Sequence, residues 1–352
     1  MSHVSLRDVA DRTGVSFQTV SKVLKGEGRV SPATRQRILD IATEIGYVPN
    51  TLARGLATSR THSIGFIASG FASFVLAPLM HGAEREARAH GYFSIFTLTE
   101  GDETEAERLV HQLVERRVDG IVNAALSLQE SERYGNLLRR LSPVVSIAPV
   151  QGDGISLVGE AGTMTGLLAT RHLTALGHRC IGTIVGAEDR PGRDGRYSGY
   201  ARAIIEVGSV PDRRLMAIGH WSAEGGYAAM SRLLDRVPTI TAIFAHNDHM
   251  AIGAIRALHD RGRRVPEDCA IVGCDDIDLA RYVIPALTTV RMSFEQTGAA
   301  AVRLLLDRLE RRATPPERVI LPVELIVRAS CGSGLGAPDR TCSDERHRSS
   351  RP

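Results

Sequence analysis

The order of apolar and polar positions divides the chain into two regimes. Between Leu6 and Ile45 apolar residues recur at helical spacing: Leu6, Val9 and Ala10 make one stripe, Val20, Val23 and Leu24 a second, and Ile38, Ile41, Ala42 and Ile45 a third. Each predicts a short helix with one buried face. Gly14 ends the first, and Ser16 offers its hydroxyl as N-cap of the second. Ser31-Pro32 reads as N-cap and first helical residue of the third, which Gly46 and Pro49 stop. Two such helices joined by a tight glycine turn predict a helix-turn-helix. The stretch from Asn50 to Ala57 is capped but too brief to hold as a helix alone in water, and Thr58 to His62 is polar.

From Ser63 the pattern becomes strand followed by helix. Strands are predicted at Ile64–Ala68, Tyr92–Thr97, Val118–Val122 and Val144–Ile147. The helices between them end near Gly91, run from about Glu103 to Arg117 and lie around Leu137–Leu141. The alternation then restarts, with helices near Gly162–Leu176, Tyr197–Val207, Glu224–Arg236 and Met250–Arg261 and strands at Ile181–Val185, Leu215–Ile218, Ala242–Ala245 and Ala270–Val272. A last helix, Phe294–Arg312, and strands near Val319 and Leu325 read as returns tying the two halves together. Alternation of this kind implies parallel sheets covered on both faces, and its repetition implies two lobes with a cleft between them. From Gly332 onward almost nothing is apolar, which predicts a disordered tail.

Composition narrows the picture. The length of 352 residues calls for more than one domain. No apolar run reaches the ~18 residues a membrane span requires, and the N-terminus lacks the apolar stretch of a signal peptide, so the expectation is a cytoplasmic protein away from the membrane. The five cysteines are odd in number and show no C-x-x-C pair, which argues against metal or disulfide duty. The net charge of +3 is uneven: residues 1 to 60 hold nine Lys/Arg against five Asp/Glu, 9 − 5 = +4, and the remainder sums to −1. The only two lysines, Lys22 and Lys25, lie at the end of the second predicted helix, where phosphate or base contacts would use them.

Around that helix Gln18, Ser21 and Lys22 face away from the apolar stripe, with Phe17 on the flank. Glutamine can pair with adenine, lysine can donate to guanine, and phenylalanine can lie against a thymine methyl. Other readings lack their residues. An exported solute-binding protein would need a signal segment and no such head. An enzyme would need a constellation such as G-x-S-x-G or a P-loop, and neither occurs; G-S-G-L-G near Gly332 lacks a following helix. His246, Asp248 and His249 cluster in sequence but lack a further obvious ligand, so no metal is expected.

V-S-L-R-D-V-A-D-R-T-G-V-S-F-Q-T-V-S-K-V-L, Y-V-P-N-T-L-A-R-G-L, R-R-V-D-G-I-V, H-L-T-A-L-G-H-R, F-A-H-N-D-H-M-A-I-G-A and I-V-G-C-D-D together resemble the LacI/GalR family of transcriptional repressors, from about Val4 to Cys331. The resemblance implies an all-α helix-turn-helix head on 1–49, a hinge helix and linker on 50–62, and an α/β two-lobed, periplasmic-binding-protein-like (type I) core on 63–331 for effector binding and dimerisation, with a tail on 332–352. It also implies a homodimer on double-stranded operator DNA, without a cofactor. Phe17, Gln18 and Lys22 would read bases, and Ser5, Ser16, Thr19 and Ser21 would suit phosphates. Asn50, Ala53 and Leu56 would belong to a hinge that becomes helical on DNA, with Leu56 as the minor-groove wedge. Ser69, Arg196, Trp221, Asn247, Asp275 and Phe294 would contact a small polar effector, expected to be a carbohydrate, at the carboxyl ends of strands. Lys22 stands where the family more often has arginine, and Phe74 where proline is common.

Overall fold

The structure, a computed structural model, describes residues 4–24, 26–27, 29–48, 60–69, 74–141, 143–147, 149–187, 195–311 and 315–333. The hinge residues Asn50, Ala53 and Leu56, as well as Lys25 and the tail beyond Ser333, lie outside the described residues. The chain separates into two compact units: residues 1–63 with 117–119, and the rest.

The first unit carries three helices, α1 (Leu6–Thr13), α2 (Phe17–Leu24) and α3 (Pro32–Glu44). The three apolar stripes meet in one small core of Val9, Ala10, Val20, Val23, Ile38 and Ala42. Ser5 and Asp8 close a reciprocal capping box on α1, and Gly14 ends that helix in the left-handed conformation that favours glycine. Ser16 accepts the Thr19 backbone N–H at 3.3 Å and so caps α2, and Ser31 caps α3 with Pro32 behind it. The Arg37 guanidinium donates to the Thr13 carbonyl, stapling α3 to the end of α1. After the hinge segment, the backbone N–H groups of Thr61 and His62 donate to the Asp119 carboxylate at 2.7 and 3.0 Å.

The second unit has two six-stranded sheets. In the first lobe are β1 (Ser63–Ser69), β2 (Phe93–Thr99), β3 (Gly120–Ala124), β4 (Val144–Ser146), β5 (Ser156–Glu160) and β11 (Arg318–Leu321), in the order β11-β5-β4-β3-β1-β2. Their helices are α4 (Leu76–Ala89), α5 (Glu103–Glu115), α6 (Glu132–Arg140) and α11 (Phe294–Glu310). In the second lobe β6 (Ile181–Val185), β7 (Met216–Ile218), β8 (Ala242–Ala245), β9 (Ala270–Asp275), β10 (Thr288–Arg291) and β12 (Glu324–Ile326) run in the order β12-β10-β9-β8-β6-β7. That sheet is covered by α7 (Gly162–Ala175) and α8 (Arg196–Glu206) on one face, and by α9 (Ala223–Arg236) and α10 (Asp248–Asp260) on the other. Alternation along each strand sorts the core: Ile243 and Ala245 pack under α9 and α10, while Ala242 and Phe244 pack under α7 and α8. The chain passes between lobes at three places, after β5, after β10 and after β11.

Two expectations need correction, and two strands were not predicted. The helix predicted near Leu137–Leu141 starts at Glu132, because Ser131 caps it and only Tyr134, Gly135 and Leu138 are buried on a polar segment. Strand β5 reads S-L-V-G-E, with too few apolar residues to announce itself, and becomes a strand by pairing with β4 and β11. Strand β10 was hidden because its buried residues include two threonines; the Thr289 hydroxyl donates to Asp248 and the Thr288 hydroxyl accepts the Arg328 N–H. Finally, Cys180 is disulfide-bonded; cysteine spacing reads only local pairs and is silent on partners far apart in sequence. Cys269, Cys274 and Cys331 are free and buried.

Candidate functional site

The loops that follow the strand ends of the second lobe bring four of the expected effector residues together. Asp275 is the last residue of β9, Asn247 comes two residues after β8, Trp221 three residues after β7, and Arg196 opens α8. The Arg196 guanidinium lies 3.6 Å from the Asp275 carboxylate and sits over the Trp221 ring, 5.5 Å from its centroid. The ion pair is largely buried, which strengthens it relative to a surface pair. At 3.6 Å it is too long for a hydrogen bond, so the guanidinium is held by charge on one side and by the ring face on the other.

Asn247 is the positioning element. Its Oδ1 accepts the Met250 N–H at 2.9 Å and caps α10, while its Nδ2 donates to the Trp221 carbonyl at 3.0 Å. One amide thus fixes both the helix start and the loop bearing the tryptophan. That loop is strained: His220 and Trp221 both have left-handed φ, +51° and +61°. Asp275 and Asp276 repeat the pattern at the end of β9, with φ of +115° and +56°. Such conformations cost roughly 1–3 kcal/mol each in non-glycine residues and collect at ligand sites. The ring of Trp221 packs against the Gly186 backbone so closely that a Cβ there would fall 1.9 Å from it. Only glycine leaves room for the indole.

The other two expected residues come from outside these strand-end loops. Ser69 ends β1 in the first lobe and accepts the Ser127 N–H at 3.1 Å. Phe294 opens α11 at the second passage between lobes and packs against apolar residues of both, Ala68 and Leu79 on one side and Val290 and Met292 on the other.

Beneath the site lies the carboxylate of Asp248, which the sequence shows only as the acidic member of the His246-Asp248-His249 stretch. Asp248 is fully buried; its Oδ1 accepts the Thr289 hydroxyl at 2.6 Å and its Oδ2 the Ile277 N–H at 2.9 Å. Burial, with the neighbouring Asp275 and Asp276 charges adding, pushes its pKa up to about 8. Burial acts to raise Asp276 too, but hydrogen bonds from Arg328 and Arg291 hold it below the usual carboxylate range. The acidic letter beside two histidines was visible, yet only the fold shows that His246 turns into the core toward Thr183 while His249 stacks on Phe74 of the other lobe at 3.9 Å. Among the described residues no group of three or more His, Cys, Asp or Glu is arranged to hold a metal ion.

In the head, Phe17, Gln18 and Lys22 are exposed on α2 and Ser21 is half-buried. The hydroxyls of Ser16 and Thr19 lie 2.9 Å apart, and the Ser5 hydroxyl donates to Asp8 at 2.8 Å within its own cap. A helix-turn-helix with a solvent-facing aromatic, amide and ammonium is suited to a major groove.

The sequence pattern of bacterial regulatory proteins of the lacI family matches residues 5–50, and that of a periplasmic binding protein-like domain matches residues 170–331. The chain is 36% identical over 335 residues to the HTH-type transcriptional regulator CelR of Thermobifida fusca, covering 93% of this chain and 98% of that protein. This chain belongs to the LacI family. Like other LacI-family members it is a DNA-binding transcriptional repressor under allosteric control by a small effector, and not an enzyme. A solved CelR–cellobiose complex matches with a TM-score of 0.71 at 34% identity, covering 93% of this chain and all of that one. The lac repressor dimer bound to operator and the anti-inducer ONPF matches with a TM-score of 0.84 at 28% identity, covering 94% and 99%. Among the described residues no helix is long and apolar enough to cross a membrane.

Proposed function

We propose that this LacI-family repressor works as a homodimer whose cleft takes a carbohydrate, and that Ser69, Arg196, Trp221, Asn247, Asp275 and Phe294 form that site. The observation that carries the reading is the Arg196–Asp275 pair laid over Trp221: a guanidinium and a carboxylate suit hydroxyl groups, and an indole face suits the apolar face of a sugar ring. The cellobiose bound to CelR supports a carbohydrate for this chain. Dimerisation is supported by the lac repressor dimer and by the apolar segment of Leu279, Tyr282 and Ile284, which is exposed on the second lobe. In the head, Phe17, Gln18 and Lys22 read bases, Ser5, Ser16, Thr19 and Ser21 meet phosphates, and Asn50, Ala53 and Leu56 form the hinge with Leu56 as wedge.

The test is an operator titration by fluorescence anisotropy, using palindromic DNA from upstream of the gene itself, with cellobiose and other sugars added. Arg196→Ala and Asp275→Ala should keep effector-free operator affinity near wild type and lose the response to the sugar. A wild-type response in both variants would move the effector site elsewhere. In the same assay Lys22→Ala should cost about 1–3 kcal/mol on the cognate operator and less on altered ones. Equal weakening on every sequence, with a salt slope lower by about one, would reduce Lys22 to a phosphate contact.

A further inference from the structure

A cavity of about 210 Å³ lies at the opposite end of the second lobe from the cleft. Arg179 and Ile181 bound it where β6 begins, Leu215 bounds it just before β7, and Tyr200 and Ile204 of α8 form its wall. The residues of the cleft follow the carboxyl ends of the same sheet. β6 is five residues long, so about 15 Å of strand separates the two sites.

The lining is divided by chemistry. Ile181, Ile204 and Leu215 give a buried apolar floor, and Val210, 84% exposed, forms a lip. The Tyr200 hydroxyl donates to the Ile181 carbonyl at 2.8 Å, and burial pushes its pKa well up, so the ring contributes apolar surface and no charge. Asp212 is already matched: the backbone N–H and the Nε of Arg214 both donate to it at 2.8 Å. Arg179 is different. Its Nη1 donates to the carbonyls of Thr174 and His178 at 2.9 and 3.0 Å, which fixes the guanidinium, and among the described residues no carboxylate pairs with it. A guanidinium anchored through Nη1 at the exposed rim, with no carboxylate partner among the described residues, set beside an apolar floor, suits an oxyanion attached to an apolar body.

We infer that this cavity is a second small-molecule site, which takes a compact organic anion, a carboxylate or phosphate ester, with the anionic group on Arg179 and the body against Ile181, Ile204 and Leu215. The volume, below the roughly 300 Å³ of drug-sized pockets, limits the occupant to about a single ring. This site stands independently of the effector assigned to the cleft.

The experiment is isothermal titration calorimetry of the full chain with benzoate, phenyl phosphate and, as a neutral control, benzamide. Saturable binding of one equivalent of benzoate or phenyl phosphate per chain is expected, with benzamide at least about tenfold weaker; which anion binds decides between carboxylate and phosphate. Arg179→Gln and Val210→Asp should each weaken binding by about tenfold or more, the second by placing a negative charge at an exposed lip where the fold is not at risk. Asp275→Ala, in the cleft, should leave it unchanged. No saturable binding of either anion, benzamide binding as well as they do, wild-type affinity in Val210→Asp, or loss in Asp275→Ala would each overturn the assignment.

Discussion

At the scale of single residues, the site rests on groups whose letters alone say little. Asp248 is the sharpest case. With an ordinary value of 3.8 and a folded value of about 8, it keeps a proton in the folded protein that the unfolded chain has already released between those limits. Stability therefore falls as pH rises through that window, because the folded state binds more protons there. Asp248→Asn, which mimics the neutral acid toward Thr289 and Ile277, should flatten the thermal unfolding profile between pH 5 and pH 8 and gain most over wild type at pH 8. Parallel profiles would show that the carboxyl titrates normally. Gly186 is a second case. Gly186→Ala drives a methyl into the indole, an overpacking expected to cost about 1–3 kcal/mol. Trp221 is the only tryptophan, so its emission should shift and effector affinity should drop together. Unchanged emission would show that the loop absorbs the methyl without moving the ring. Gly186 was not legible beforehand, and Asp248 was visible only as an acidic letter between two histidines, since burial and close approach are set by other segments.

At the scale of elements, three helix pairs share one device. Gly82 of α4 faces Gly298 of α11, Gly166 of α7 faces Gly199 of α8, and Gly226 of α9 faces Gly253 of α10; at each, an added Cβ would fall between 1.9 and 2.3 Å from a backbone oxygen of the partner helix. The backbones touch, and these helices cover the sheets as tight pairs. Gly298→Ala puts its Cβ 2.0 Å from the Leu79 carbonyl and should lower stability by about 1–3 kcal/mol in thermal unfolding. A neutral outcome would mean that α4 and α11 separate freely. The helices and most strands were legible because apolar period and caps are local signals, as the correctly placed N-caps Ser16 and Ser31 show. Strand β10 was not, because a threonine buried against Asp248 looks polar in a list of letters.

At the scale of the whole molecule, the proposed function makes effector and operator linked ligands. Whatever factor the sugar changes operator affinity by, typically about 5–150-fold, the operator must change sugar affinity by the same factor. Measuring sugar binding by Trp221 emission with and without operator checks this. Unequal factors would mean that the two ligands do not act on a common pair of states. The stacking of Phe74 on His249 joins the two lobes, and burial lowers the His249 pKa, which favours the neutral imidazole in the stack. Phe294, at a passage between lobes, packs against both. These contacts make the relative placement of the lobes a property that a ligand in the cleft can bias.

The sequence by itself determined the three-helix head, the strand-helix alternation repeated twice, and which residue types carry the chemistry, because hydrophobic period, caps and glycine turns act over a few residues. It also placed Arg196, Trp221, Asn247 and Asp275 as candidates for one site, through their resemblance to a family. Only the tertiary structure decided that the chain passes between lobes three times, that Arg196 pairs with Asp275 across Trp221, that Asn247 spends its amide on holding that loop, and that Asp248 is a buried acid. Each of these joins residues from separate elements, and their free energies come from packing and desolvation, which exist only once those elements have met.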